Sequence, residues 1–149
     1  MNVYADSSFI VALYIADAHS SAARLMLQSL TRSRSSADTR LWLTPLHGVE
    51  WAHSLEQQVF RGRLSRREAD QYEAAFQMHL QSGLWLEAPL PDLALEKCEL
   101  LARPHVSVLG ARALDTLHVA TALLLGARRF WTFDERQRRL AQAERLKTS

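Results

Sequence analysis

An α/β sandwich, with a short parallel sheet between two helical layers (α/β/α), is the fold this sequence predicts. Short apolar runs of strand length alternate with stretches of helical periodicity along the chain, the pattern of parallel strands joined by crossover helices. One helical stretch, Ala113 to Leu125, is apolar on nearly every side, so it must be packed between other layers. The 149 residues, 48% hydrophobic and 23% charged, suit one soluble domain over residues 1–149 with a sizeable core.

Taken in order, Asn2-Val3-Tyr4-Ala5-Asp6 is too short for a helix and reads as the first strand, after which Ser7 or Ser8 caps a helix through Tyr14. A second helix is expected from about Ser21 to Leu30, then a polar loop from Thr31 to Arg40. Leu41 to Thr44 is the second strand. The Thr44-Pro45 pair starts a helix to about Phe60, with Leu46, Val49, Ala52 and Leu55 as its buried stripe and Glu50 on the stripe's edge. Gly62 ends it, and Ser65 with Glu68 makes a capping box for a helix from Arg66 to about Gln81. Its Tyr72, Phe76, Leu80 stripe suits either a second subunit or burial within the chain. Leu84 to Glu87 is a third strand, and Pro91 opens a fifth helix expected to fade by Pro104. After the sandwiched helix, Arg129 to Phe133 is the fourth strand and Glu135 to about Ala143 the last helix.

Several function classes drop out. Cys98 is the only cysteine, so neither an internal disulfide nor a thiolate zinc cluster can form, and a reducing, cytoplasmic setting fits. Cys98 reads as a small buried residue. The histidines show no HExxH spacing, and His118 reads as a satisfied core histidine. The first 16 residues lack a basic leader and contain Asp6, which argues against a signal peptide or membrane anchor. Five scattered glycines exclude a phosphate-cradling loop. An aspartyl-phosphate chemistry on Asp6 lacks its second acid, since Ser8 stands there, and neither Lys97 nor Lys147 fits a receiver pattern.

What remains is a set of carboxylates in apolar surroundings: Asp6, Glu50, Asp115 and Asp134. A buried carboxylate without a partner costs about 3 kcal/mol or more, so four of them point to a shared cation. Taken singly, each has a structural reading: Asp6 and Asp134 as helix caps, Asp115 favouring a helix dipole, and Glu50 pairing with an arginine. Taken together, they sit where a doubly covered sheet brings strand ends and helix segments to one edge. Hard cations of the magnesium class take a few carboxylates and keep waters, one of which can attack a phosphodiester. With these four acids gathered in a cleft, the remaining surface carries 18 basic against 12 acidic residues, which suits a polyanionic substrate. Arg63 and Arg67, in the run Arg61-Gly62-Arg63-Leu64-Ser65-Arg66-Arg67, are candidate phosphate contacts, since the guanidinium fork donates two hydrogen bonds at once.

The strand ending Asp6-Ser7-Ser8, a Glu in the helix after the second strand, the block Leu114-Asp115-Thr116-Leu117-His118-Val119-Ala120-Thr121-Ala122 and the later Thr132-Phe133-Asp134 together resemble a PIN-domain ribonuclease. The pattern is most similar to the toxin halves of VapBC-type toxin–antitoxin pairs and spans nearly the whole chain. The resemblance implies an Mg²⁺- or Mn²⁺-dependent nuclease that cuts RNA, pairs as a homodimer, and is inhibited by a separately encoded cognate antitoxin. It assigns Asp6, Glu50, Asp115 and Asp134 as the metal-binding acids, with Ser8 and Thr132 as supporting hydroxyls. The chain departs from the family in leaving little room after Arg145 for a final edge strand. The rival reading is a PIN fold without turnover that binds RNA or protein.

Overall fold

The computed structural model of the protein describes residues 2–32 and 39–149. Five parallel strands are present among them: β1 (Asn2–Ala5), β2 (Arg40–Leu43), β3 (Leu86–Glu87), β4 (Arg129–Trp131) and β5 (Lys147–Thr148), in the order β3-β2-β1-β4-β5. The helices are α1 (Ser7–Tyr14), α2 (Ser20–Arg32), α3 (Pro45–Phe60), α4 (Arg66–Gln81), α5 (Ala94–Leu109), α6 (Ala113–Leu124) and α7 (Glu135–Ala143). The loop expected from Thr31 to Arg40 lies largely outside the described residues.

Alternation along β1 divides the core in two. Val3 and Ala5 join Phe9, Ile10, Trp51, Phe76 and Trp131 on one face, while Tyr4 joins Phe130, Leu101, Val119 and Leu140 on the other. Successive strand side chains point to opposite faces, so a four-residue strand supplies both layers. The three-layer α/β/α architecture read from the sequence is the one observed. Tyr72 and Leu80, flanking buried Phe76, pack on the chain's own core. Strand order reverses at β1, between its neighbours β2 and β4, and ligands in open α/β sheets bind outside the carboxyl ends at such a switch point.

Four expectations are corrected. A final edge strand exists: Arg145 adopts a left-handed φ of 64°, turning the chain at once so that Leu146 is buried and Lys147 pairs with Arg129. α5 begins at Ala94 and runs through Pro104 to Leu109, because Pro104 lies on its exposed side while Leu101 and Leu109 pack on the core. Gly110, with φ of 66°, ends it. The buried stripe of α3 is His47, Trp51 and Leu55, with Val49 more than half exposed. His47 can be buried because Nε2 donates to the Ala5 carbonyl at 2.7 Å and Nδ1 accepts from the Thr44 amide at 2.9 Å. Cys98 is only half-buried.

Candidate active site

The sequence Asp6-Ser7-Ser8-Phe9 ends a strand and caps a helix in the same residue. Asp6 keeps extended backbone angles, and its carboxylate accepts from the Phe9 amide at 2.9 Å. Ser8 Oγ donates to both carboxylate oxygens, at 2.7 and 2.9 Å, and Thr132 Oγ1 donates to Oδ2 at 2.8 Å. The side chain is wholly buried, and desolvation raises its pKa against the opposing pull of His118 and these donors.

Asp134 repeats the device after β4. It caps α7 by accepting from the amides of Arg136 and Gln137 at 2.8 and 3.1 Å, while its own amide donates to Thr132 Oγ1 at 2.9 Å. Asp115, in the first turn of α6, accepts from the Arg112 amide at 2.8 Å and from Gln137 Nε2 at 3.3 Å. The Arg112 guanidinium bridges the pair, 3.1 Å from Asp115 and 3.5 Å from Asp134. A hydrogen-bonded chain therefore runs Asp6, Thr132, Asp134, Gln137, Asp115 across the ends of β1 and β4.

Glu50, in the second turn of α3, faces a separate group. Its Oε2 accepts from Ser7 Oγ and from His118 Nε2. Burial acts to raise its pKa, but the hydrogen bond and charge of His118 and the Ser7 hydroxyl outweigh it and hold the carboxyl below its ordinary value. On the other side of the ring, His118 Nδ1 meets the Tyr4 hydroxyl at 2.9 Å.

The sequence profile of the PIN domain matches residues 3–143. The chain belongs to the PIN domain family. Among curated proteins no match is found. Three solved structures share the PIN fold with it. VapC20 of Mycobacterium tuberculosis, described as a sarcin-ricin loop cleaving toxin, superposes with a TM-score of 0.63 at 14% identity, covering 92% of this chain and 93% of its own. VapBC2 from Rickettsia felis, bound to a DNA fragment from its promoter, gives 0.67 at 12% identity over 100% and 98% of the two chains. FitAcB from Neisseria gonorrhoeae gives 0.61 at 15% over 98% and 95%.

Within this PIN domain, Ser8 and Thr132 both lie on Asp6. Glu50 is paired with a histidine, and the arginine partner belongs to Asp115 and Asp134. Arg63 and Arg67 are exposed at the corner beyond α3, whose last residue lies about 15 Å along the helix axis from Glu50. Beside them Arg66 is engaged by Glu56 at 2.7 and 2.8 Å.

Sequence reasoning missed Arg112, Gln137, Ser7, Tyr4 and the part taken by His118. Three of these carry a local signal: Arg112 stands three residues before Asp115, His118 three after it, and Gln137 three after Asp134, the spacing that puts helical neighbours on one face.

Among the described residues, no three His, Cys, Asp or Glu side chains form a ready-made metal cage. The donor chemistry nonetheless suits a hard cation. The acids offer oxygen only, Gln137 Oε1 is a further buried oxygen with no hydrogen-bond partner among the described residues, and the Arg112 guanidinium already supplies positive charge between two of the acids. The fit requires Arg112 to give way, and its side chain is 68% exposed.

Proposed function

We propose that this PIN domain is an Mg²⁺- or Mn²⁺-dependent endoribonuclease and the toxin of a toxin–antitoxin pair, acting as a homodimer in the cytoplasm. The observation that carries the reading is the hydrogen-bonded chain joining Asp6, Asp134 and Asp115 at the switch point of the sheet. A sarcin-ricin loop cleaving toxin among the similar structures supports RNA as the substrate, and VapBC2 supports a cognate antitoxin as partner. Among the described residues no helix is long and apolar enough to cross a membrane.

Asp6 and Asp115 would be the primary ligands, with Asp134 and Glu50 completing the acidic set. When bound, the cation supplies an acidified water and neutralises phosphate charge. The chain's own residues do the remaining work. Ser8 and Thr132 hold Asp6 in one orientation, and Gln137 does the same for Asp115. Arg112, released from the acids, can present its guanidinium fork to the phosphate. Glu50 orients the attacking water and accepts its proton. Arg63 and Arg67 contact phosphates farther along the strand.

Purified protein incubated with structured RNA tests the reading. Cleavage should stop with EDTA and return with Mg²⁺ or Mn²⁺, and Asp6→Asn should fold but not cut. RNA binding without cleavage under any divalent cation would replace this reading with that of a PIN fold that binds without turnover.

A further inference from the structure

Buried at the middle of α6, His118 is fully enclosed and three residues past Asp115. Its ring makes two opposed contacts, Nε2 to Glu50 and Nδ1 to Tyr4. A carboxylate can only accept a hydrogen bond, so Nε2 carries a proton, and Nδ1 on the far side of the ring pairs with the Tyr4 hydroxyl. Tyr4 is itself immobilised. Its ring stacks on Phe130 at 5.7 Å, meets His118 edge-on at 5.8 Å and lies 5.0 Å from His47. It sits on β1 two residues before Asp6, so the relay starts on the strand that carries the buried acid.

The use of the two Glu50 oxygens is unequal. Ser7 and His118 both converge on Oε2, and among the described residues Oε1 has no hydrogen-bond partner. A carboxylate gripped by one oxygen on two donors from different elements cannot rotate freely, and its second oxygen is left for a ligand. The carboxylate that meets Nε2 comes from a helix 68 residues away in sequence, so the contact ties α6 to α3.

We propose that Tyr4 and His118 are positioning residues that lock Glu50 through Oε2, reserving Oε1 to receive the proton of the attacking water. The inference rests on the nuclease reading and adds to it a division of labour. Glu50 is the proton acceptor served by the relay, while Asp6 and Asp115 hold the cation.

The test compares wild type with Tyr4→Phe, His118→Leu and His118→Gln, measuring kcat and KM for RNA cleavage in Mg²⁺, Mn²⁺ affinity by calorimetry, and ring ¹⁵N shifts of His118 without metal. A positioned general base contributes about 10²–10⁴-fold, so His118→Leu should lose about 10-fold or more in kcat. KM and Mn²⁺ affinity should stay within about twofold, since only the chemical step is touched. His118→Gln should recover most of kcat, because its amide nitrogen can replace Nε2. Tyr4→Phe, which deletes a single oxygen, should shift the Nδ1 resonance and lower kcat, and it decides the matter if His118→Leu does not fold. Unchanged kcat in a folded His118→Leu, a loss of Mn²⁺ affinity in place of kcat, or an unmoved Nδ1 resonance in Tyr4→Phe would each overturn the proposal. Absence of any cleavage by wild type would instead overturn the nuclease reading, leaving the metal-free ring spectrum to report on the relay by itself.

Discussion

Thr132 Oγ1 donates to Asp6 Oδ2 at 2.8 Å across 126 residues of sequence, tying the carboxyl end of β4 to that of β1. The same oxygen accepts from the Asp134 amide at 2.9 Å, so one hydroxyl sets the spacing of two acids. Thr132→Val keeps the shape and removes both bonds. It should cost about 1–3 kcal/mol in stability, the penalty of leaving buried polar groups unpaired, and should lower RNA cleavage; urea melts and a cleavage assay check both.

Burial disfavours the charged form of the Asp6 carboxyl, so a neutral isostere relieves that penalty. Asp6→Asn should melt at the same temperature as the metal-free wild type or higher. In wild type, Mg²⁺ should raise the melting temperature by mass action, about 2.7 kcal/mol at a hundred times Kd, and in the variant it should not. A preserved Mg²⁺ response in Asp6→Asn would remove Asp6 from the metal site.

Arg112 competes with any cation for Asp115 and Asp134. Because its side chain is largely exposed, Arg112→Gln should change metal-free stability by at most about 1 kcal/mol. Mn²⁺ affinity, read by calorimetry, should rise while kcat falls, since the guanidinium no longer occupies the acids and no longer reaches the phosphate. Weaker Mn²⁺ binding would show that Arg112 organises the acids instead of masking them.

Burial depresses His47, with the neighbouring His118 adding to the effect, from an ordinary 6.5 to about 3. Between those values the unfolded chain takes up a proton that the native state refuses, so this residue makes stability rise with pH across that window and fall as the solution is acidified. Asp6, with its pKa raised, pulls the other way, because there the native state binds more protons. Subtracting the urea-melt stabilities of His47→Gln from those of wild type at several pH values isolates the histidine. The difference should favour wild type less and less as pH falls from about 6.5 towards 3.

Arg63 and Arg67 make no ion pair among the described residues and stand at an exposed corner. If each contacts one phosphate of single-stranded RNA, the double replacement by Ala should reduce the salt slope of binding by about 0.7 per contact, with cleavage preference unchanged. An unaltered slope would return both to the role of solvated surface.

Layer order, most helix starts and the isolation of four acids in apolar runs were legible in the sequence because those signals are local, although α1 is capped by Asp6 and not by Ser7 or Ser8. Asp6-Ser7-Ser8 and Thr44-Pro45 announce helix starts, the apolar Ala113–Leu125 stretch announces a sandwiched helix, and a lone acid in an apolar run is visible without any partner. It misjudged elements whose boundaries depend on what they pack against. Pro104 does not end α5, since its ring faces outward, and two residues suffice for β5 once Arg145 turns the chain. The partners of the acids were decided only by tertiary structure. Glu50 meets His118 across two intervening helices and a strand, and Thr132 reaches Asp6 only because β1 and β4 pair in register. Hydrogen bonds of that reach leave no periodicity in the chain, so a histidine inside an apolar helix reads as core until the fold sets a carboxylate on one side of its ring and a phenol on the other.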